Sequence, residues 1–538
     1  MSRSTTGSTP VWRVPRSALV PAHLTGDIAA DVVIVGAGIA GLTTAYLLAK
    51  EGRNVAVLDA GDGQGGETAR STAHVTAVLD DRYYDLSFRF GAREAEIIAE
   101  SHMAAINRME AIIREERIDC GFARCEGYLT AGTPERSPDI MREAEAALAA
   151  GFADRRVFSA VPIAGVAVQG PALRFPQQAQ INPAKYMAEL AGAVVSRGGR
   201  IFTDTRVVAV KDGMPVEVTT ENGARVHAAA AVVTTHTPVN DRVTMHTKQA
   251  AYRTYAIACT LTGNAMPPFL LWDVEEPYHY VRTMRDGDAN FLIIGGEDHK
   301  TGQANDADER YAALEAWAAR RFPAIGPVAF RWSGQVMEPV DRLAFIGRNP
   351  GDNNVYIATG FSGNGMTYGT ISGILIRDLI DGRDNHWAEI YDPSRKPLNA
   401  TKEYLRENAN AVACMVGDWV SRGEVKDVAD IPPGEGAVMR EGLTKVATYR
   451  DENGEIHSCS AVCTHLGCIV QWNSGEKTWD CPCHGSRFSA EGKVLHGPAF
   501  RALEPRGHEE EGTRAPVTEA PMAGPFPMGT VVTPERDA

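Results

Sequence analysis

What the sequence lacks narrows its function first. Basic charge is not in excess: Lys and Arg total 54 against 68 Asp and Glu, a formal net charge of -14. Such a balance offers no positive surface to nucleic acid or anionic lipid, and neither is expected as a partner. The opening run MSRSTTGSTPVWRVPRS has no apolar stretch of the kind that heads a secretory signal, so the protein is expected to be cytoplasmic. Residues 32–49 are free of charge over a length that approaches a membrane span. Their glycines and threonines argue for a strand, a turn and a helix instead, and no membrane span is expected. No internal repeat is visible.

Cysteine is sparse, nine in 538 residues, yet five of the nine (Cys459, Cys463, Cys468, Cys481 and Cys483) fall within 25 positions. In a cytoplasmic chain such a cluster favours metal or redox chemistry over a disulfide framework. The scattered four, Cys120, Cys125, Cys259 and Cys414, are expected to be buried thiols. A chain of 538 residues is too long for one core and divides into two or three domains. Composition and punctuation place an N-terminal arm at 1–30, a large α/β domain at 31–382, a helical linker at 383–433, a small all-β domain at 434–503 and a disordered tail at 504–538. Helices are expected at about 92–116, 138–150 and 401–421.

What is present begins with DVVIVGAGIAGLTTAYLLAKEGRNVAVLDA: a buried strand, a glycine turn, a helix and a second strand ending at Asp59. Gly36, Gly38 and Gly41 form G-x-G-x-x-G at the junction. The first allows a tight turn, the second lets backbone approach a pyrophosphate, and the third lets helix pack on strand. Ile39 and Ala40 open a helix whose N-terminus faces the phosphate charge. Asp59, followed by Ala60, ends the second strand where a carboxylate accepts ribose hydroxyls. A dinucleotide is therefore expected. No other such triplet follows a strand, so a separate nicotinamide site is not expected and the organic substrate becomes the expected electron donor. Later, YIATGFSGNGMTYG supplies another strand, a glycine-rich turn and a helix from near Met366, with its positive end toward the cofactor.

Together these segments resemble the FAD-dependent oxidoreductases of the D-amino-acid oxidase and sarcosine oxidase type, over roughly residues 31–382. The resemblance implies FAD, bound by a Rossmann-like α/β domain with an inserted antiparallel-sheet substrate domain. It implies that Ala69, Arg70, Ser71, Thr72 and His74 of GETARSTAHVT wrap the flavin. By the same resemblance Val207 of TRVVAV meets the adenine, and Thr235 of AAAVVTTHTP lies where the middle strand of the sheet ends. Thr359, Gly360, Gly363, Gly365, Met366 and Thr367 would form the closing flavin-binding segment. One departure is Asp59, where the family more often has glutamate.

Near the end stand CTHLGC and CPCHGS. Cys463-x-His465 and Cys481-x-x-His484 bring two thiolates and two imidazoles, the donor set of a Rieske [2Fe–2S] centre, in which histidines hold one iron. A zinc site built from some of the same residues is the alternative reading. The two runs look like the loops of Rieske proteins from cytochrome bc and b6f complexes, over about residues 434–503. The resemblance implies Cys463, His465, Cys481 and His484 as ligands, and a Cys468–Cys483 disulfide that clips the loops, worth on the order of 3 kcal/mol for a loop of about 15 residues. It implies that Ser486 donates to a bridging sulfide and that Pro498 belongs to a shielding loop; Cys459, outside both runs, is expected to be structural. Phe488 departs from the pattern, since high-potential members usually carry tyrosine there. Loss of that hydroxyl should lower the potential, because hydrogen bonds to sulfur favour the reduced cluster.

A flavin domain joined to a Rieske module resembles a bacterial family of glycine/D-amino-acid-oxidase-like proteins with a C-terminal Rieske module. The expected function is a dehydrogenase for a small amine or amino acid that passes electrons singly through the cluster to an external acceptor protein. Two alternatives are flow in the reverse direction from an external donor, and a redox carrier or sensor without turnover. In EEPYHYVRT, a strand would place Tyr278, Tyr280 and Arg282 on one face, and Tyr280 with Arg282 is the candidate clamp for a substrate carboxylate. The run GGEDHKTG, with Glu297, Asp298 and His299, reads as a polar loop. A redox titration tests the Phe488 reading: the cluster is expected between the extremes of its class, and a potential as high as that of the respiratory proteins would refute it.

Overall fold

The computed structural model describes residues 8–12, 22–63, 65–240, 245–261, 266–396, 400–421 and 423–506. Most of the tail expected to be disordered lies outside the described residues. The strands Ile28–Val35, Val55–Leu58 and Arg225–Val233 are rich in valine and alanine, and their carboxyl halves are buried on both faces. That pattern suits the middle of a parallel sheet covered on both sides. They pair in parallel, Ile28–Val35 lying between the other two, and the eight-stranded sheet extends through Arg200–Phe202 on one side and Val355–Thr359 on the other. The helix Ile39–Lys50 is apolar all round, and every residue but Lys50 is buried, as expected of a helix enclosed in a core.

The helix Ala92–Glu116 is amphipathic instead. Ala95, Ile98, Ala99, His102, Ala105, Ile106, Met109 and Ile112 recur at three- and four-residue spacing and are its buried stripe. A second sheet of nine strands includes Gln249–Leu261, Phe269–Asp273, His279–Asp286, Ala289–Lys300 and Ile325–Pro339. It is antiparallel except where Phe269–Asp273 runs parallel to Ala123–Gly132. The run read as a polar loop, residues 297–299, belongs to the strand Ala289–Lys300.

The C-terminal part is all β: three strands from Glu435–Glu441 to Ile456–Ser460, and four from Gln471–Asn473 to Val494–His496. The helix Thr401–Val420 precedes it, has no buried residue, and touches both parts. Its Glu407 pairs with Lys300 of the large sheet, and Trp419 Nε1 donates to the Gly467 carbonyl at 3.1 Å. Among the described residues, no helix is long and apolar enough to cross a membrane.

The two parts meet through charge. Arg253 donates to Asp480 at 3.1 Å, and Arg487 reaches the other oxygen of Asp480 at 3.2 Å and Glu67 at 3.5 Å. Arg70 holds Glu476 at 2.9 Å. Arg253, Arg487 and Asp480 are 0 % exposed and Glu476 is 1 % exposed. Burial raises the Asp480 carboxyl, but Arg253 and Arg487 more than offset it and hold it at about 2; Glu67 is likewise held at about 2, with His496 and Arg487 outweighing burial. The stability these two carboxylates contribute is complete above their ordinary values near 4 and is lost as pH falls toward 2. Asp480→Ala leaves two guanidinium groups buried without their shared partner. It is expected to cost about 3–5 kcal/mol, read from urea unfolding, and to flatten the loss of stability between about pH 4 and 2; a cost below about 1 kcal/mol would contradict this account.

Candidate functional site

A cavity of about 440 Å³ opens at the carboxyl ends of the parallel strands, where Val35 passes into Gly36 and Leu58 into Asp59. Gly36 has φ +103°, and a Cβ there would lie 2.8 Å from the Thr234 carbonyl oxygen; a Cβ at Gly41 would lie 1.9 Å from the Gly36 oxygen. Turn and helix therefore meet backbone to backbone, and only glycine fits. Gly38 differs, because its missing side chain would meet only the Thr68 hydroxyl, at 3.4 Å, beside the open cavity. It caps the helix without a side-chain hydrogen bond, which leaves the first turn and its positive dipole end at the cavity wall. Asp59 accepts the N–H groups of Ala37 and Gly61 at 2.6 and 2.9 Å, which fixes its carboxylate on the same wall. This cradle fits a diphosphate and a ribose.

Of the residues expected to hold FAD, Gly36, Gly38, Ile39, Ala40, Asp59, Ala60, Arg70, Ser71, Thr72, His74, Val207, Thr235, Gly363, Gly365 and Met366 line this one cavity. Gly41, Ala69, Thr359, Gly360 and Thr367 do not. The Thr359 hydroxyl donates to the His236 carbonyl at 2.6 Å, and that of Thr367 to the Asn364 carbonyl at 3.1 Å, so both shape the wall from behind. His74 is a neutral imidazole. Its Nε2 donates to the Val281 carbonyl at 3.2 Å and its Nδ1 accepts from Thr72 at 3.1 Å, while burial and then the Arg282 charge hold it down at about 3.

The wall opposite comes from the antiparallel sheet: Thr254, Ala256, Trp272, Tyr278, Tyr280 and Asp298, with Asp80 beside Gly363. Tyr280 is where the sequence places it, its hydroxyl 2.8 Å from that of Thr254. Arg282 is not. It is 2 % exposed, lies outside the cavity, and donates to the carbonyls of Thr72, Ala73 and Ile181 at 3.0, 2.8 and 2.9 Å. The candidate clamp for a substrate carboxylate is thus corrected. Arg282 is spent on backbone, and it holds in place the left-handed turn at Ala73, φ 57°, just before His74. The buried Val11 and Trp12 of the N-terminal arm belong to the same support, with Trp12 Nε1 donating to the Ser71 carbonyl at 2.8 Å.

At the other site two matched turns face each other. The Gly467 N–H donates to the Cys463 carbonyl and the Gly485 N–H to the Cys481 carbonyl, each at 3.0 Å. Cys468 and Cys483 form a disulfide. The sulfurs of Cys468, Cys481 and Cys483 lie within 4.8 Å of one another, but the bond between two of them leaves Cys463 and Cys481 as the free thiols of the loops. Those two are hydrogen-bonded to each other, and the rings of His465 and His484 stand 5.0 Å apart. Burial, then the neighbouring imidazoles of His465 and His246, bring His484 down to about 3, so it is a neutral donor. Two thiols and two imidazoles, with the other cysteine pair locked away, fit a Rieske cluster. Ser486 bonds the Cys463 sulfur and accepts the Ala499 N–H at 3.0 Å, tying the loop of Pro498 to the site. Phe488 is fully buried in the same core as Cys463 and Cys481. Cys459 is buried against strand backbone; of the scattered cysteines, Cys120, Cys125 and Cys259 are buried with burial pushing each thiol up to about 12, and Cys414 is half-buried.

The two sites share a wall. Leu495 and His496 of the last strand, with Gly497, Ala499 and Phe500 of the loop that follows it, line the large cavity. Gln335, also on that lining, donates to the Gly485 carbonyl at 2.9 Å, one residue beyond His484. His246 of the large part packs its ring 4.9 Å from His465. Sequence reasoning missed Gln335, His236, His246, Asp80 and Trp272: Gln335 and Trp272 lie within strands whose pattern does not show which face meets the cavity, and the other three lie outside strands, where only the fold brings them to it. Asp298 was signalled by GGEDHKTG and was read there as a solvated loop.

Arg282→Met removes the guanidinium whose Nη1 serves the carbonyls of Thr72, Ala73 and Ile181 and whose Nε serves that of Thr283, leaving buried acceptors unmatched. It is expected to weaken flavin retention at least tenfold, measured by flavin release on dilution, while leaving the cluster's paramagnetic signal unchanged; unaltered retention would contradict this role. Phe488→Tyr is expected to raise the cluster midpoint by on the order of tens of millivolts in a redox titration, and a fall would contradict the hydroxyl argument.

Comparison with known proteins agrees with this division. The model of the family "FAD dependent oxidoreductase" matches residues 31–379, and that of the "Rieske [2Fe-2S] domain" matches residues 419–506. YhfW of Bacillus subtilis (strain 168) is 32% identical over 482 residues, covering 89% of this chain and 93% of its own. The cytochrome b6-f complex iron-sulfur subunit of Synechococcus sp. (strain JA-3-3Ab) is 51% identical over 70 residues, 12% of this chain and 41% of its own. Among solved structures, glycine oxidase from Geobacillus kaustophilus superimposes with a TM-score of 0.57 at 19% identity, covering 68% of this chain and 99% of that one. The chain therefore belongs to the FAD-dependent oxidoreductase family and carries a C-terminal Rieske domain, with FAD and a [2Fe–2S] cluster as its cofactors.

Proposed function

We propose that the protein oxidises a small amine or amino acid at FAD and passes the electrons singly, through the Rieske centre of the same chain, to an external acceptor protein. The observation that carries this reading is the shared wall: one cavity is lined by the glycine turn and by the loop of the Rieske domain, and Gln335 joins that lining to the loop of His484. Gly36, Gly38, Ile39, Ala40 and Asp59 would hold the diphosphate and ribose of FAD, Val207 the adenine, and Ser71, Thr72, His74, Gly363, Gly365 and Met366 the flavin end. Cys463, Cys481, His465 and His484 would hold the cluster. When bound, FAD supplies two-electron oxidation of a C–N bond and the cluster supplies one-electron exchange.

The chain's own residues set the conditions. Trp272, Tyr280 and Phe361 wall the substrate side and exclude water, which strengthens every charge interaction inside. His74 donates its Nε2 hydrogen to the Val281 carbonyl, and burial with the Arg282 charge keeps the ring neutral beside a reacting amine. Arg282 and Trp12 stiffen the backbone that carries His74.

Anaerobic mixing of the cofactor-loaded protein with a panel of primary amines, secondary amines and amino acids tests the proposal. At least one compound is expected to bleach the flavin absorbance, with the paramagnetic signal of a reduced mixed-nitrogen, mixed-sulfur diiron centre following at a rate independent of protein concentration. Bleaching by none of them, together with flavin reduction by a reductase or ferredoxin, would overturn it in favour of reverse flow.

A further inference from the structure

We infer that the substrate binds in this cavity as an ammonium ion and carries no free carboxylate, recognised by Asp298 and Asp80 across the Tyr278 hydroxyl. The inference rests on the amine-oxidising reading above and names the substrate class within it. Asp298, Asp80 and Tyr278 all line the cavity, and the Tyr278 hydroxyl is in hydrogen-bonding reach of both carboxyl groups. Asp298 Oδ1 is buried and accepts no hydrogen bond among the described residues. A buried oxygen of this kind is costly unless a donor arrives to fill it.

The charges around it point the same way. Glu338 sits behind the wall, bonded to Ser362 at 2.8 Å, and Asp81 pairs with Arg342 at 2.7 Å, so four carboxyl groups crowd one end of the site. Burial pushes Asp80 up to about 6, Asp298 to about 7 and Glu338 to about 8, and the neighbouring carboxyl groups add to it, against the lowering charge of Arg82 at Asp80 and of Arg310 at Asp298. An arriving cation relieves the repulsion among these groups.

A substrate carboxylate finds no such welcome. The arginines on the lining are Arg70 and Arg206; the first is bound to Glu476 and the Ser333 carbonyl, the second to the Val494 carbonyl. Arg282 faces backbone, Arg82 donates to the carbonyls of Leu79 and Asp273, and Arg310 is paired with Asp306. With His74 neutral, an α-carboxylate set beside these carboxyl groups would find no cation to pair with.

Equilibrium titration of the cofactor-loaded protein tests this, using n-butylamine and 1,4-diaminobutane against glycine and N-methylglycine, read by calorimetry and by perturbation of the flavin spectrum. Both amines are expected to bind at least tenfold tighter than both amino acids. Asp298→Asn and Asp80→Asn, each checked for unchanged visible and circular-dichroism spectra, are each expected to weaken the amines at least tenfold. Amino acids that bind as tightly as the amines, or two folded variants that bind the amines within twofold of the parent, would overturn the inference. The two readings fail separately. Flavin bleaching by amino acids alone refutes the ammonium inference and leaves amine-group oxidation standing; Asp298-dependent binding of amines that bleach nothing upholds the inference and refutes oxidation.

Discussion

Three guanidinium groups and three carboxylates, Arg70, Arg253 and Arg487 against Glu67, Glu476 and Asp480, form the contact on which the rest of the molecule depends. Taken singly, none of these charges could be removed from water without a cost of several kcal/mol, so they are tolerable only as a set. Two of them, Glu67 and Arg70, belong to the short helical segment Gly66–Arg70, which also lines the cavity. The docking of the small domain and the shape of the cavity wall are therefore one structure. A displacement of the Rieske domain would unpair Glu67 and Arg70 and distort the site that is proposed to hold the flavin.

The same arrangement explains how two redox groups are brought to one place without a dedicated channel. The segment Leu495–Phe500 closes the large cavity, and its Ala499 N–H rests on Ser486, which in turn bonds the Cys463 sulfur. Gln335 makes the second crossing, from the cavity lining to the Gly485 carbonyl. Both crossings are short hydrogen-bonded paths through buried backbone, where low polarisability keeps charges from being screened. The cavity wall opposite the glycine turn follows a different rule. There the sheet presents carboxyl groups rather than arginine, and the one arginine of the strand His279–Asp286 that is buried at its centre is turned to carbonyl groups.

Legibility in the sequence followed the physics of each feature. The glycine turn was readable because Gly36, Gly38 and Gly41 are each required by a local steric condition: two have no room for a Cβ and the third borders the cradle. The cysteine and histidine pairs were readable because metal chemistry restricts donor types and their spacing within a loop. The helix Ala92–Glu116 was readable from its three- and four-residue stripe. Arg282 was misread because alternation along a strand fixes a face but not what lies above that face. The run Glu297, Asp298 and His299 was misread as a loop because its polarity hid a strand that turns into a cavity.

The amino-acid sequence by itself determined the two kinds of cofactor site, since each is built within a short segment whose residue types are dictated by local geometry or by donor chemistry. Only the tertiary structure decided that the two sites adjoin within one chain, that Arg282 supports backbone, and that the cavity wall opposite the glycine turn carries Asp298 and Asp80. Those outcomes depend on contacts between residues hundreds of positions apart, such as Gln335 with Gly485 and Arg70 with Glu476. No local rule encodes such pairs; they follow from how separately specified elements pack once their apolar faces are buried.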